Sequence, residues 1–150
     1  MNSILRRRRA LMGAKKEETQ WEDITSTLTW VRGSNAQFTE LNDIIRITTL
    51  QNGTYRSILA NFTTSPDYTY KVTCESVTVT KGAGRIQCRT STDATVSGTG
   101  TATWTTSQGA IEKEFSHNST IAKISLFCTW STSSSGDVSY GAFRLWRKKL

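Results

Sequence analysis

Ile121-Ala122-Lys123-Ile124-Ser125-Leu126-Phe127-Cys128-Thr129-Trp130 decides the fold. Ala122, Ile124, Leu126 and Cys128 alternate there with Lys123, Ser125 and Thr129. An extended strand sends successive side chains to opposite faces, so this spacing predicts an apolar face turned to a core and a polar face turned away. Phe127 interrupts the polar set, and is expected to pack under a loop or in an interface. Arg85-Ile86-Gln87-Cys88-Arg89-Thr90 follows the same rule, with Ile86 and Cys88 inward and Arg85, Gln87 and Arg89 outward.

Working outward, the alternation predicts further strands at Ser26 to Arg32, Ile44 to Leu50, Thr54 to Ala60, Thr69 to Thr80, Ala110 to Phe115 and Val138 to Trp146, with a weaker one at Thr101 to Thr105. Gln51-Asn52-Gly53 reads as a hairpin turn, because Asn-Gly accepts the positive φ angles of a tight primed turn. Lys81-Gly82-Ala83-Gly84 reads as a second hairpin turn and Ser131 to Asp137 as a third. Ser and Thr supply 42 of the 150 residues and there is one proline, Pro66. Thr favours strands, and no helical pattern separates the apolar segments. The expected fold is an all-β antiparallel β-sandwich, jelly-roll-like, of eight to nine strands with a basic N-terminal tail.

Charge divides the chain. Residues 1–16 carry +6, residues 17–143 carry −3 and residues 144–150 carry +4, within a total of +7. A basic N-terminal anchor segment at 1–23 and a sandwich domain at 24–150 follow as the expected organisation. In the anchor, Ile4, Leu5, Leu11 and Met12 flank Arg6, Arg7, Arg8 and Arg9, an apolar-basic mixture suited to docking on an acidic partner. Together with Arg144, Arg147, Lys148 and Lys149 the arginines are expected to form one basic pole, since domain termini often lie close together. The apolar run at Ala10 to Ala14 is too short for a secretory signal, and no stretch reaches the ~20 apolar residues of a membrane span.

Cys74, Cys88 and Cys128 have no zinc-ligand or C-x-x-C spacing and are expected to be small buried hydrophobes. No metal and no cofactor are expected. His117 is the sole histidine and sits in the polar turn Ser116-His117-Asn118-Ser119-Thr120, while Glu112 and Glu114 alternate with Ile111, Lys113 and Phe115 as outward strand residues do. No catalytic residue is assigned, and the chain is read as a non-enzyme.

Four passages carry a resemblance. Tyr70-Lys71-Val72-Thr73-Cys74-Glu75, Gly82-Ala83-Gly84-Arg85-Ile86, Ile121-Ala122-Lys123-Ile124-Ser125-Leu126-Phe127, and Ser135-Gly136-Asp137-Val138-Ser139-Tyr140 with Phe143-Arg144-Leu145-Trp146 resemble, in order, core strands and hairpins of jelly-roll carbohydrate-binding modules and galactose-binding-like domains. Gly141-Ala142 stands where those modules often carry an acidic residue beside a structural calcium, so the resemblance brings no calcium site with it. Separately, Ser3-Ile4-Leu5-Arg6-Arg7-Arg8-Arg9-Ala10-Leu11-Met12 resembles the short Leu-Arg-Arg-Arg-Ala-Leu-Met leaders of tailed-bacteriophage virion proteins. That resemblance implies a head-fibre, capsid-decoration or tail-fibre protein.

Two functional expectations result. One is a virion structural protein made in the bacterial cytoplasm, anchored on a capsid or tail protein through its basic N-terminus and displaying a homo-oligomeric (dimeric or trimeric) sandwich. Trp21, Trp30 and Phe38 are then expected between subunits or against the tether. The other is binding of a host polysaccharide, either as part of that role or as a tail-fibre or free carbohydrate-binding module. Sugar recognition needs aromatic rings to stack on pyranose faces and polar groups to fix hydroxyls. Trp104 in its polar surroundings, Trp130 at a strand end, Tyr55 after the Asn-Gly turn, and Arg89 are the candidates. Binding of packaged DNA through the arginine segment is a further alternative, disfavoured because the acidic body offers no basic stripe with interleaved aromatics.

Overall fold

In a computed structural model of the chain, which describes residues 20–33, 36–49, 57–129 and 135–150, the period-two segments become twelve strands among the described residues. They are β1 (Glu22–Asp23), β2 (Trp30–Arg32), β3 (Ala36–Leu41), β4 (Ile44–Thr49), β5 (Ser57–Asn61), β6 (Tyr68–Cys74), β7 (Ser76–Lys81), β8 (Arg85–Arg89), β9 (Ile111–Ser116), β10 (Lys123–Phe127), β11 (Gly136–Gly141) and β12 (Arg144–Lys149). One layer is the sheet β2-β5-β10-β8. The other is built from two ladders, β3-β4-β11-β7 and β1-β12-β6-β9. Every pairing is antiparallel.

The two ladders are halves of one bent sheet, because β6 runs on into β7 and β11 into β12. Both bends are written in the sequence as a slip of the alternation. Tyr70, Val72 and Cys74 are buried, and the buried set then resumes at Val77; Val138 and Tyr140 are buried, and the set resumes at Phe143 and Leu145. The slips lie side by side, where Glu75 N–H donates to the Gly141 carbonyl at 2.9 Å. Ala142 takes up the extra residue at φ 49°, a left-handed conformation uncommon outside glycine.

Between the layers lies one apolar cluster. Ile58, Ala60, Ile86, Cys88, Ile124, Leu126 and Cys128 come from the first sheet, and Ile47, Tyr70, Val72, Val77, Val138, Tyr140 and Leu145 from the second. The faces of β8 and β10 are those that alternation predicts. The cysteines are free and buried.

Several expectations change. Lys81-Gly82-Ala83-Gly84 is not a hairpin turn, since β7 and β8 lie in opposite layers. Gly82, at φ +85°, carries the chain across, and its position leaves no room for a side chain: a Cβ there would stand 2.3 Å from the Cys128 carbonyl oxygen. Gln51-Asn52-Gly53 and residues 131–134 lie outside the described residues, yet the strands on either side of each, β4 with β5 and β10 with β11, also belong to opposite layers. The tight hairpin is β3–β4, through Asn42 and Asp43 at φ 51° and 61°. Asn and Asp are the residues besides glycine that best tolerate that region.

The expected strand from Ser26 begins instead as a 3-10 turn at Thr25–Thr27, nucleated by the Asp23 carboxylate, which accepts Thr25 N–H at 2.9 Å. Thr101 to Thr105 is no strand; Trp104 exchanges two 2.9 Å backbone bonds with Gly84 as an isolated bridge. Among the described residues, strand pairing begins with Glu22 against Arg147 of β12. Trp30 and Phe38 pack on this domain's own core, Trp30 edge-on to Phe143 at 5.6 Å, and the Trp21 ring lies under the Lys71 and Lys148 ammonium groups at 4.4 and 5.0 Å. The carboxy-terminal arginines are engaged within the domain: Arg144 forks onto Asp43 at 2.8 and 2.6 Å, and Arg147 onto Glu22 at 2.6 and 3.1 Å.

Candidate functional site

The outer face of β2-β5-β10-β8 departs from what a solvent-facing sheet carries. Register places Arg85, Gln87 and Arg89 of β8 beside Phe127, Ser125 and Lys123 of β10, and these beside Ser57, Leu59 and Asn61 of β5. Alternation makes this the polar side, and polar sides of antiparallel sheets are usually wet. Here Gln87, Ser125, Phe127 and Arg89 are all buried. The row Val31, Leu59, Ser125, Gln87 runs from 61% exposed at Val31 to 0% at Gln87.

Each polar group has a traceable position. Arg85 Nη1 donates to Thr103 Oγ1 at 3.2 Å. Arg89 Nη2 donates to the Asp93 carbonyl, and its guanidinium carbon stands 5.3 Å from the centre of the Phe127 ring, within cation–π range. Lys123 Nζ pairs with the Asp93 carboxylate at 2.8 Å, and the Ser125 hydroxyl donates to the Gln87 carbonyl at 3.1 Å. Gly100 lies against the layer, where a Cβ would meet Arg85 Nη2 at 3.0 Å and Gln87 Nε2 at 3.5 Å. The Gln87 side-chain amide is wholly buried, and neither its Nε2 nor its Oε1 has a hydrogen-bond partner.

Of the residues singled out from sequence, Arg89 belongs to this layer. Trp104 sits at its margin through the Gly84 bridge, half-buried and packed against the core. Tyr55 and Trp130 lie outside the described residues, as do Ile4, Leu5, Arg6, Arg7, Arg8, Arg9, Leu11 and Met12. Sequence reading put Gln87 and Arg85 on the outward face and Phe127 under a loop or interface, without joining them to Arg89. The cross-strand register that unites them comes from β10, whose central place between β5 and β8 alternation alone does not show.

Elsewhere, His117 Nδ1 lies 2.8 Å from Thr64 Oγ1 in a surface turn, and Glu112 stands 3.8 Å from Lys71. Among the described residues no group of His, Cys, Asp and Glu is arranged to hold a metal ion, and no helix is long and apolar enough to cross a membrane.

No protein-family model matches the sequence, and no curated protein matches it. Among solved structures the sandwich is similar to CBM86, a low-affinity xylan-binding module from the gut symbiont Roseburia intestinalis, with a TM-score of 0.57 and 12% identity over 88% of this chain and 95% of that one. It is also similar to a carbohydrate-binding module of the CBM4 type, with a TM-score of 0.50 and 10% identity over 75% of this chain and 77% of that one. At such identities the likeness is one of fold, and the fold is the jelly-roll-like β-sandwich expected from sequence.

Proposed function

We propose that this chain is a non-catalytic polysaccharide-binding protein, and that the buried polar layer on β8 and β10 is its sugar-binding site. The observation that carries this reading is Gln87. A buried amide with no hydrogen-bond partner costs stability, so folding alone gives no reason for glutamine there. Hydroxyl groups are both donors and acceptors and would satisfy Nε2 and Oε1 together, with Arg85 and Arg89 on either side. The layer opens towards β2 along Leu59 and Val31. The fold likeness to carbohydrate-binding modules supports the same reading.

Gln87→Leu tests it by affinity electrophoresis in gels cast with soluble polysaccharides, xylan first. The variant is expected to melt at the same or a higher temperature than the wild type and to lose its retardation. Unchanged retardation of a folded variant would overturn the site.

The basic segment is proposed as an attachment device on a phage particle. The observation favouring it is the disposition of charge: Arg144 and Arg147 are forked onto Asp43 and Glu22, whereas Arg6 to Arg9 come in a run without any acid before Glu17. An acidic surface of a capsid or tail protein is the fitting partner, with the sandwich held outward as a dimer or trimer. Deletion of residues 1–16 is expected to leave a soluble domain that no longer joins particles; normal incorporation would refute the anchor.

A further inference from the structure

A second groove lies on the other layer, at the bend where β6 passes into β7 and β11 into β12. The groove holds about 410 Å³ and is lined by Thr73, Glu75, Glu112, Asp43, Arg144 and Trp146 among others. The bend creates it: with Leu145 fully buried on the core side, Arg144 and Trp146 stand on the outer face, and the extra residue at Ala142 separates them from the end of β11. Trp146 is half-buried, and its indole N–H donates to Thr73 Oγ1 at 2.8 Å, which fixes the ring against β6. Glu112 and Glu75 are exposed at the margin.

The charge of this lining is opposite to that of the Gln87 layer. It has three carboxylates against one guanidinium, and that guanidinium is forked onto Asp43. Glu112 meets Lys71 only at 3.8 Å, and the Lys71 ammonium also faces the Trp21 ring at 4.4 Å. A fixed indole beside surplus carboxylates in a groove of this volume combines a stacking surface with acceptors for a cation.

We infer that the Trp146 groove is a second saccharide site, separate from the Gln87 layer, and that it takes a pyranose bearing a protonated amine, of the glucosamine type. The apolar face of the sugar stacks on Trp146. Its ammonium and neighbouring hydroxyls donate to Glu112 and Glu75 in charge-assisted hydrogen bonds.

Isothermal titration of the full chain with a short, fully deacetylated glucosamine oligosaccharide, at a pH that keeps the amines protonated, tests the inference. Binding is expected, with a roughly ten-fold loss in Glu112→Gln and in Glu75→Gln, the size of a charge-assisted hydrogen bond. Trp146→Ala is expected to abolish it, and because these two glutamates are exposed, their variants decide the matter even where Trp146→Ala fails to fold. Gln87→Leu is expected to bind the amino sugar as the wild type does. The inference is overturned by no binding, by equal binding of the N-acetylated oligosaccharide, or by a loss that follows Gln87→Leu and spares Glu112→Gln. None of those results touches retention on neutral polysaccharide, which reports on the other layer.

Discussion

Tyr140 of β11 reaches across the sandwich to Arg85 of β8, where its hydroxyl accepts the backbone N–H at 2.9 Å and donates to the Phe127 carbonyl of β10. The ring is wholly buried, and burial raises its phenol well above the ordinary tyrosine range. This one oxygen ties the edge of the polar layer to the opposite sheet. Tyr140→Phe keeps the ring and removes the hydroxyl that serves two buried backbone groups, so a loss of about 1–3 kcal/mol is expected in urea unfolding. A variant as stable as the wild type would show those groups to be served otherwise.

Acid should weaken the fold through three ion pairs. The carboxyls of Glu22, Asp43 and Asp137 are held below their ordinary values, chiefly by hydrogen bonds from Arg147, Arg144 and Arg46. A folded value below the unfolded one means that the unfolded chain takes up protons first as pH falls. The stabilisation is therefore complete above the ordinary carboxylate range and is lost as pH drops below about 4. Melting temperature is expected to be flat at neutral pH and to fall in acid. Arg144→Met should show a shallower fall, and an identical acid profile in that variant would remove Asp43 from the account.

How much of this was legible follows from which signals are local. Alternation is local, and it places Ile86, Cys88, Ile124 and Leu126 on the core side and Gln87 and Arg89 opposite. The bends are local too: the step from Cys74 to Val77 and from Tyr140 to Phe143 shifts the apolar phase, a signal present in the sequence but read there as unbroken strands. Asn42-Asp43 is a turn signal of the same kind, weaker to the eye than Asn52-Gly53. Whether a turn closes a hairpin or crosses between layers is not local, because it depends on which strands pair, and for Gly82 that depends on its contact with distant Cys128. Burial of the polar face is equally non-local. Nothing in Arg85-Ile86-Gln87-Cys88-Arg89 states that Gln87 has no water.

The cysteines should be chemically silent in the native protein. Burial pushes the Cys74 thiol, whose Sγ lies 3.0 and 3.1 Å from the Ser76 and Gly141 carbonyl oxygens, up to about 11, and pushes Cys88 up to about 12. The thiolate is the nucleophile, and it is scarce at neutral pH at such values. Iodoacetamide at neutral pH is expected to modify neither Cys74 nor Cys88 until denaturant is added, when both react. Native-state labelling of Cys74 or Cys88, read by peptide mass spectrometry, would contradict the burial found here.

At Gly136, where β11 begins, there is no room for a side chain. A Cβ there would lie 2.2 Å from the Cys128 carbonyl oxygen and 2.7 Å from its carbon, and Gly82 approaches the same oxygen from the other crossing. Two layer-crossing segments thus converge on one carbonyl, which also accepts Ala83 N–H at 3.1 Å. The obstacle is backbone on both sides, so no rotamer relieves it. Gly136→Ala is expected to cost about 3 kcal/mol, at the upper end of overpacking, equivalent to a fall of roughly 6–12 °C in melting temperature for a chain of this size. Gly109→Ala is the matched control, because a Cβ there meets nothing within 4 Å and Gly109, like Gly136, lies outside the left-handed region. If both variants lose the same amount, the crowded crossing does not set the requirement for glycine at Gly136.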